Sequence, residues 1–139
     1  MKPGFLIASL VFVQALVLVS AQGKTTLDGI YTEEQARRGE KIYADSCASC
    51  HGPDLSGGGQ TPGLAGKEFN MDWSDLALSD LFDRTRATMP ADAPGTLKPE
   101  QAADVIAFIL QKGSFPAGQT ELPADAAAIK AITFVSPKP

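Results

Sequence analysis

Cysteine and histidine are almost absent from this chain, whose 139 residues include two cysteines and one histidine. A structural zinc site normally takes four cysteine and histidine ligands. Three such side chains could form one only with the help of carboxylates. The composition therefore argues against a zinc-stabilised domain.

Positive charge and strand-forming patterns are also scarce. Lysine and arginine together number 12 against 16 aspartate and glutamate residues, which gives a formal charge of −4. Nucleic-acid binding needs a basic face that contacts phosphates, so no nucleic-acid partner is expected. No stretch predicts a strand of any length and no internal repeat is visible, so the expected fold class is all-α.

The one long apolar stretch lies at the N terminus. Residues 1–21 combine a basic start at Lys2 with an apolar run and small residues, which is the pattern of a secretory signal peptide cleaved after Ala21. The run is short for a membrane span of ~20 residues, and an uncleaved anchor that associates the protein with a membrane is the alternative. Cleavage would remove Lys2 and no acid, leaving a formal charge of −5. The expected location is the periplasm or another exported compartment.

Long connecting segments surround the predicted helices. Residues 22–31 are expected to form a polar linker, residues 32–113 one domain, and residues 114–139 a C-terminal tail extension with a short helix near Ala124–Ile132. The helices of the domain account for roughly 40 residues, which is too little packed structure for a chain of this length to be stable alone. A bound group that fills the middle of the domain is therefore expected.

Three main helices are predicted from apolar periodicity and capping residues. The first starts after Thr32, which can cap it, and the second has Ser74 as its N-cap. The third has Pro99 in its first turn and Gly113 after its last residue. The segment between the first two helices, residues 52–73, has little regular pattern and is expected to be a loop. The three spans are about Glu33–Ser46, about Ser74–Arg86, and the helix of "LKPEQAADVIAFILQKG".

The two cysteines and the histidine fall together in "CASCH", as Cys47, Cys50 and His51. A disulfide would leave the histidine unexplained, a thioredoxin-like pair needs strands, and a zinc site needs further ligands. The spacing C-x-x-C-H is typical of covalent haem attachment. Cysteines three residues apart lie on one face of a helical turn, so both sulfurs can add to vinyl groups on one edge of a porphyrin. The sequence therefore predicts one haem c attached through Cys47 and Cys50, with His51 as an iron ligand.

A second axial ligand of the iron would have to be a methionine, because no second histidine is present. Met89 in "RATMPAD" is the favoured ligand, since Pro90 stiffens the backbone that holds the thioether. Met71 in "FNMDWS" is the alternative, and an open sixth position would indicate a gas-binding or peroxidatic haem protein. A thioether ligand raises the reduction potential, which suits an electron carrier.

Together these features resemble the small class I c-type cytochromes, over about residues 33–113. The "Met-Pro" dipeptide at residues 89 and 90 resembles the family's sixth-ligand position. The resemblance implies a cytochrome c fold, with three main helices and long loops around one covalently bound haem. It is also carried by a glycine and an aromatic residue on the first helix and by an aliphatic and an aromatic residue on the last, namely Gly39, Tyr43, Val105 and Phe108.

The resemblance also implies roles outside the haem motif. The carbonyl of Pro62 in "TPGLAG" would accept a hydrogen bond from the second ring nitrogen of His51 and orient the ring, and Leu64 would pack on the haem edge. Lys98 departs from the family, which usually has Ser or Asp at the N-cap of the last helix. The run Gly57–Gly59 is expected to be a flexible part of the loop that covers the haem. Candidate partners for the haem propionates, with packing or solvent exposure as the alternative, are Trp73, Arg84 and Arg86.

The implied function is that of an exported monohaem cytochrome, and not of an enzyme. It would carry single electrons between a dehydrogenase or membrane complex and an acceptor, so redox proteins are the expected partners. The alternative is a haem-bearing electron-transfer subunit of an oxidoreductase complex. The tail weakly resembles that of cytochromes that accompany quinoprotein dehydrogenases. The net negative charge permits docking on a basic partner, and such docking weakens as salt rises.

Overall fold

The structure is a computed structural model that describes residues 23–138. The signal peptide predicted over residues 1–21 lies outside the described residues. Helices dominate the described part of the chain, which confirms the all-α class. In chain order the elements are β1 Lys24–Thr25, α1 Glu33–Ser46, α2 Ala48–His51, α3 Lys67–Trp73, α4 Leu78–Thr88, α5 Pro99–Lys112, α6 Ala126–Lys130 and β2 Ile132–Thr133. Within residues 23–138, no helix has both the length and the apolar character needed to cross a membrane.

Helices α1 and α5 begin and end where the sequence predicts. The side chain of Thr32 accepts a hydrogen bond from the Gln35 amide at 3.1 Å, which caps α1. At the start of α5 the Gln101 side chain accepts from the Lys98 amide at 3.0 Å. This bond gives the backbone amide of Lys98, the unusual N-cap residue, a partner on the first turn of the helix, so a lysine can occupy this position.

The predicted start of the second helix, at about Ser74, is wrong. It begins at Leu78, and a separate short helix, α3, occupies the end of the segment that was expected to be a loop. Ser74 is the C-cap of α3 instead of an N-cap, and its hydroxyl donates to the Asn70 carbonyl at 2.6 Å. Asp75 follows with φ of 66°, and this left-handed residue separates the two helices.

Helices α1 and α5 cross at very short distance, at two of the residues that carry the family resemblance, Gly39 and Tyr43. A methyl group on Gly39 would lie 1.8 Å from the carbonyl oxygen of Asp104, so no larger residue fits. One turn further along, the rings of Tyr43 and Phe108 pack with their centroids 5.2 Å apart. The guanidinium of Arg38 adds two hydrogen bonds to Asp104, at 2.9 and 3.0 Å.

The tail packs back onto the helices. We call residues 114–138 the tail strap. The side chain of Gln35 on α1 pairs with the backbone of Leu122 through two hydrogen bonds, at 2.7 and 2.9 Å. Phe134 is 1 % exposed and packs on Phe69 of α3 and on Phe115, with ring centroids 6.0 and 5.2 Å away. Strand β2 of the strap pairs with β1 in parallel, so the predicted linker is also tied to the domain.

Candidate functional site

The thiol pair and the histidine lie on one helical turn directly after α1. Cys47 separates α1 from α2, and its carbonyl accepts from the His51 amide at 3.0 Å. Both cysteines are free thiols; Cys47 is half-buried and Cys50 is exposed. Burial and the nearby Cys50 raise the pKa of the Cys47 thiol. A redox-active cysteine needs a lowered pKa, so this direction disfavours a thioredoxin-like pair.

The ring of His51 is buried and held in one orientation. It is 7 % exposed, and its Nδ1 lies 2.9 Å from the carbonyl oxygen of Pro62. A carbonyl can only accept, so Nδ1 carries the proton and donates. In the neutral ring this tautomer leaves Nε2 with a free lone pair, which is the form that binds a metal. The structure thus brings together the two residues that the resemblance paired.

A compact loop places the Pro62 carbonyl against the ring. The Gly57 amide donates to the His51 carbonyl at 2.8 Å, and the Leu64 amide donates to the carbonyl of the buried Leu55 at 2.8 Å. Gly57 has φ of +72°, and a methyl group there would lie 2.4 Å from the carbonyl oxygen of Thr61 and 2.7 Å from the carbonyl carbon of Pro62. Gly57 is therefore a close-packed position of this loop, whereas Gly58 and Gly59 face open space.

One contact of this site was not predicted from the sequence. The sequence identifies Tyr43 only as the aromatic residue of the family resemblance on the first helix, but its hydroxyl also donates to the carbonyl of Gly52, the residue after His51, at 2.6 Å. Burial, together with the negative charges of Cys47 and Asp54, raises the pKa of Tyr43 to about 12. The hydroxyl itself was the available signal, because a buried tyrosine needs a hydrogen-bond partner.

The two candidate methionines differ in exposure. Met89 is half-buried at the C-cap of α4, where its amide donates to the Thr85 carbonyl at 3.0 Å. Met71 lies on α3 and is 62 % exposed. Leu64 is partly buried and packs against the apolar core.

Two buried polar atoms have no hydrogen-bond partner among the described residues. They are Oδ1 of Asn70 and Nε of Arg86. The guanidinium of Arg86 also lies over the ring of Phe82, 5.8 Å from its centroid. A buried donor without an acceptor is costly, and the carboxylate of an anionic ligand would satisfy this one. Arg84 is exposed, and Trp73 is half-buried with its ring 6.3 Å from that of Phe69.

These residues fit a haem. Two thiols on one turn can form thioethers, the next side chain has a ring nitrogen that the Pro62 carbonyl does not engage, and the buried Nε of Arg86 is an unused donor. Within residues 23–138, no group of three or more His, Cys, Asp or Glu side chains could hold a metal ion.

Known proteins resemble the chain over the same region. Residues 34–109, more than half of the chain, match the family described as "Cytochrome C oxidase, cbb3-type, subunit III". The cytochrome c of Sesamum indicum is 32% identical over 95 residues, which cover 52% of this chain and 86% of that protein. Cytochrome c-551 of Bacillus subtilis (strain 168) is 28% identical over 92 residues, which cover 66% of this chain and 77% of that protein.

A solved structure also overlaps in part. The sulfane dehydrogenase SoxCD from Paracoccus pantotrophus aligns with a TM-score of 0.48 and 23% identity. The alignment covers 63% of this chain and 52% of that chain, so this protein spans about half of its length.

Proposed function

Since the chain belongs to the class I c-type cytochromes, a family of electron-transfer haem proteins, we propose that it holds one haem c through Cys47 and Cys50, with His51 and Met89 as axial ligands. When bound, the haem would supply a reversible one-electron couple. The observation that carries the proposal is the 2.9 Å hydrogen bond from His51 Nδ1 to the Pro62 carbonyl, which leaves Nε2 free beside two free thiols.

The protein residues contribute attachment, orientation and shielding. The two thioethers would fix the group to α2, and the Pro62 carbonyl would orient His51 and strengthen its donor nitrogen. Leu64 would cover one edge of the macrocycle. The buried Nε of Arg86 supports a role as a propionate donor, because it has no other acceptor among the described residues.

Burial supports Met89 over Met71 as the second axial ligand. A thioether that binds the iron must be shielded from water, and 62 % exposure of Met71 is what a surface side chain shows. Met89→Ala should abolish the red charge-transfer band of methionine-ligated ferric haem, and Met71→Ala is the matched control. Loss of the band in Met71→Ala alone would reverse the assignment.

Optical spectroscopy tests the proposal most directly. The full chain is expressed in a host that has cytochrome c maturation machinery, and a pyridine haemochrome is prepared from the purified protein. We expect the spectrum of haem with both vinyl groups saturated, and carbon monoxide should bind the reduced protein little or not at all. A stable, compact protein without colour would contradict the haem itself, and strong carbon monoxide binding would indicate a gas-binding or peroxidatic protein.

The proposed carrier moves electrons between a dehydrogenase or membrane complex and an acceptor. The matched family is described as an oxidase subunit, and this supports the second candidate, a haem-bearing subunit of an oxidoreductase complex. Gel filtration and co-purification from the native membrane separate the two, because a carrier elutes alone. Association of a carrier with a basic partner should slow as salt rises, given the formal charge of −4 for the full chain and −5 once Lys2 is removed with residues 1–21.

We also propose that the protein is exported and that residues 1–21 are removed after Ala21. The apolar run with its basic start and small-residue end supports this proposal. Mass spectrometry of protein from the periplasmic fraction would give the new N terminus. A mass that retains Met1, together with recovery in the membrane fraction, would favour the uncleaved anchor.

A further inference from the structure

We propose that the hydroxyl of Tyr43 is a positioning group that fixes His51 through the backbone and thereby adjusts the iron's potential. This inference rests on the proposed function, because it takes His51 as the axial ligand. Packing of the Tyr43 ring belongs to the helix crossing, and the role inferred here belongs to the hydroxyl alone.

The hydroxyl binds the backbone directly beside the histidine. Its oxygen lies 2.6 Å from the carbonyl oxygen of Gly52, and the hydroxyl is the donor. The tyrosine ring cannot follow a moving loop, because it is 2 % exposed and packed on Phe108 of α5. The Gly52 carbonyl is thus tied to the most closely packed part of the domain.

Three other hydrogen bonds hold His51. Its amide donates to the Cys47 carbonyl at 3.0 Å within the helical turn, and the other two bonds come from the loop that follows. The Gly57 amide donates to the His51 carbonyl at 2.8 Å, and the Pro62 carbonyl accepts from the ring at 2.9 Å. Both loop bonds would stay intact if the His51 ring and residues 52–62 moved together about the anchored His51 amide. The bond from Tyr43 joins Gly52, the residue after His51, to α1, so it restricts this movement and helps to set where the histidine ring sits relative to the helix pair.

Removal of the hydroxyl leaves the Gly52 carbonyl with a weak partner. The Leu55 amide donates to the same oxygen at 3.3 Å, a longer bond than the one from Tyr43. Loss of one net hydrogen bond changes a local opening equilibrium by roughly two- to tenfold. The ring of His51 should then leave its partner more often, and its Nδ1 proton should exchange with water faster by that factor.

The second tyrosine supplies a matched control. Tyr31 is 1 % exposed, and its hydroxyl donates to the Phe115 carbonyl at 2.7 Å, in the tail strap. Tyr31→Phe and Tyr43→Phe therefore each remove one oxygen atom and one hydrogen bond of similar length from a buried tyrosine. A merely structural role predicts the same behaviour for both variants.

The experiment compares the two variants as loaded holoproteins. Exchange of the His51 Nδ1 proton is followed by NMR in the reduced state, and the reduction potential is measured in the same buffer. We expect two- to tenfold faster exchange and a higher potential in Tyr43→Phe alone, because a weaker hydrogen bond makes the imidazole a poorer donor to ferric iron. Equal exchange rates and equal potentials in the two variants would overturn the inference.

A second protein keeps the test valid if Tyr43→Phe loads haem poorly. In the Tyr31→Phe background, 3-fluorotyrosine replaces Tyr43 and makes its hydroxyl a stronger donor without removing it. Slower exchange and a lower potential than in Tyr31→Phe are expected, and unchanged values would refute the role. Failure of the proposed function itself is distinguishable, because the wild-type protein would then give no haemochrome.

Discussion

The close crossing of α1 and α5 makes Gly39→Ala the most informative single substitution. The new methyl group would lie 1.8 Å from the carbonyl oxygen of Asp104 and 3.0 Å from the amide nitrogen of Val105. Ordinary contacts begin near 3.5 Å, so the helices must part by about 1.7 Å. Alanine improves the intrinsic stability of the helix by ~1 kcal/mol relative to glycine. Overpacking costs about 1–3 kcal/mol and sometimes more, and backbone atoms cannot rotate away as side chains do.

Because the clash is with backbone atoms, the cost should lie at the upper end of this range, and we expect a net loss of about 2 kcal/mol from the free energy of unfolding. Parting the helices also separates the ring of Tyr43 from that of Phe108, now 5.2 Å apart. Urea unfolding of the holoprotein, followed by far-UV circular dichroism, measures the loss. Glu40→Ala is the control, because Glu40 is an exposed neighbour on the same helix. A variant of Gly39 that is as stable as wild type, or ~1 kcal/mol more stable, would refute the close crossing.

Three further predictions concern the loop, the tyrosines and the tail strap. Gly57→Ala should lower the free energy of unfolding by about 1–3 kcal/mol, because the new methyl group would lie 2.4 Å from a backbone atom. The control Gly58→Ala, whose methyl group has no atom within 4 Å, should change the free energy of unfolding by less than ~0.5 kcal/mol. Equal effects of the two variants in urea titrations would contradict the close packing of Gly57. Burial raises the pKa of Tyr31 and of Tyr43 to about 12, so their stabilising effect is complete below pH 10 and is lost as pH rises towards 12. Native tyrosinate absorbance centred at pH 10 would show that the hydroxyls are not buried. Phe134→Ala should cost about 3–5 kcal/mol in the same urea assay, whereas a tail that is independent of the domain would leave the midpoint unchanged.

The elements with local signals could be predicted from the sequence. The side chain of the α1 N-cap, Thr32, accepts a hydrogen bond from the Gln35 amide. Helix α5 has a proline at its start and Gly113 at its end. The sequence predicts Ser74 as an N-cap although it ends α3, because a serine before a helix and a serine after one look alike in sequence. Its hydroxyl bonds backwards to Asn70, and the left-handed Asp75 then turns the chain. Neither this hydrogen bond nor the left-handed backbone of Asp75 produces a periodic pattern in the sequence.

The candidate site divides in the same way. The spacing of Cys47, Cys50 and His51 follows from chemistry within one turn, and the partnership with Pro62 came from the family resemblance. The packing of Gly57 and the bond from Tyr43 depend on how the loop folds back on α1. Such contacts join residues on separate elements, so spacing along the chain could not identify them.

The tail strap supplies apolar side chains that stabilise the domain. The sequence suggested too little packed structure for a chain of this length, and a bound haem was expected to supply all of the missing core. The structure adds a second source, because Phe115, Leu122 and Phe134 of the strap are buried in the common core. In contrast, Leu55 is the one buried side chain within the described residues 52–66. The strap thus contributes several side chains to the common apolar core, whereas the loop beside His51 contributes one and depends more on its hydrogen bonds. The need for a haem is therefore greatest in that loop.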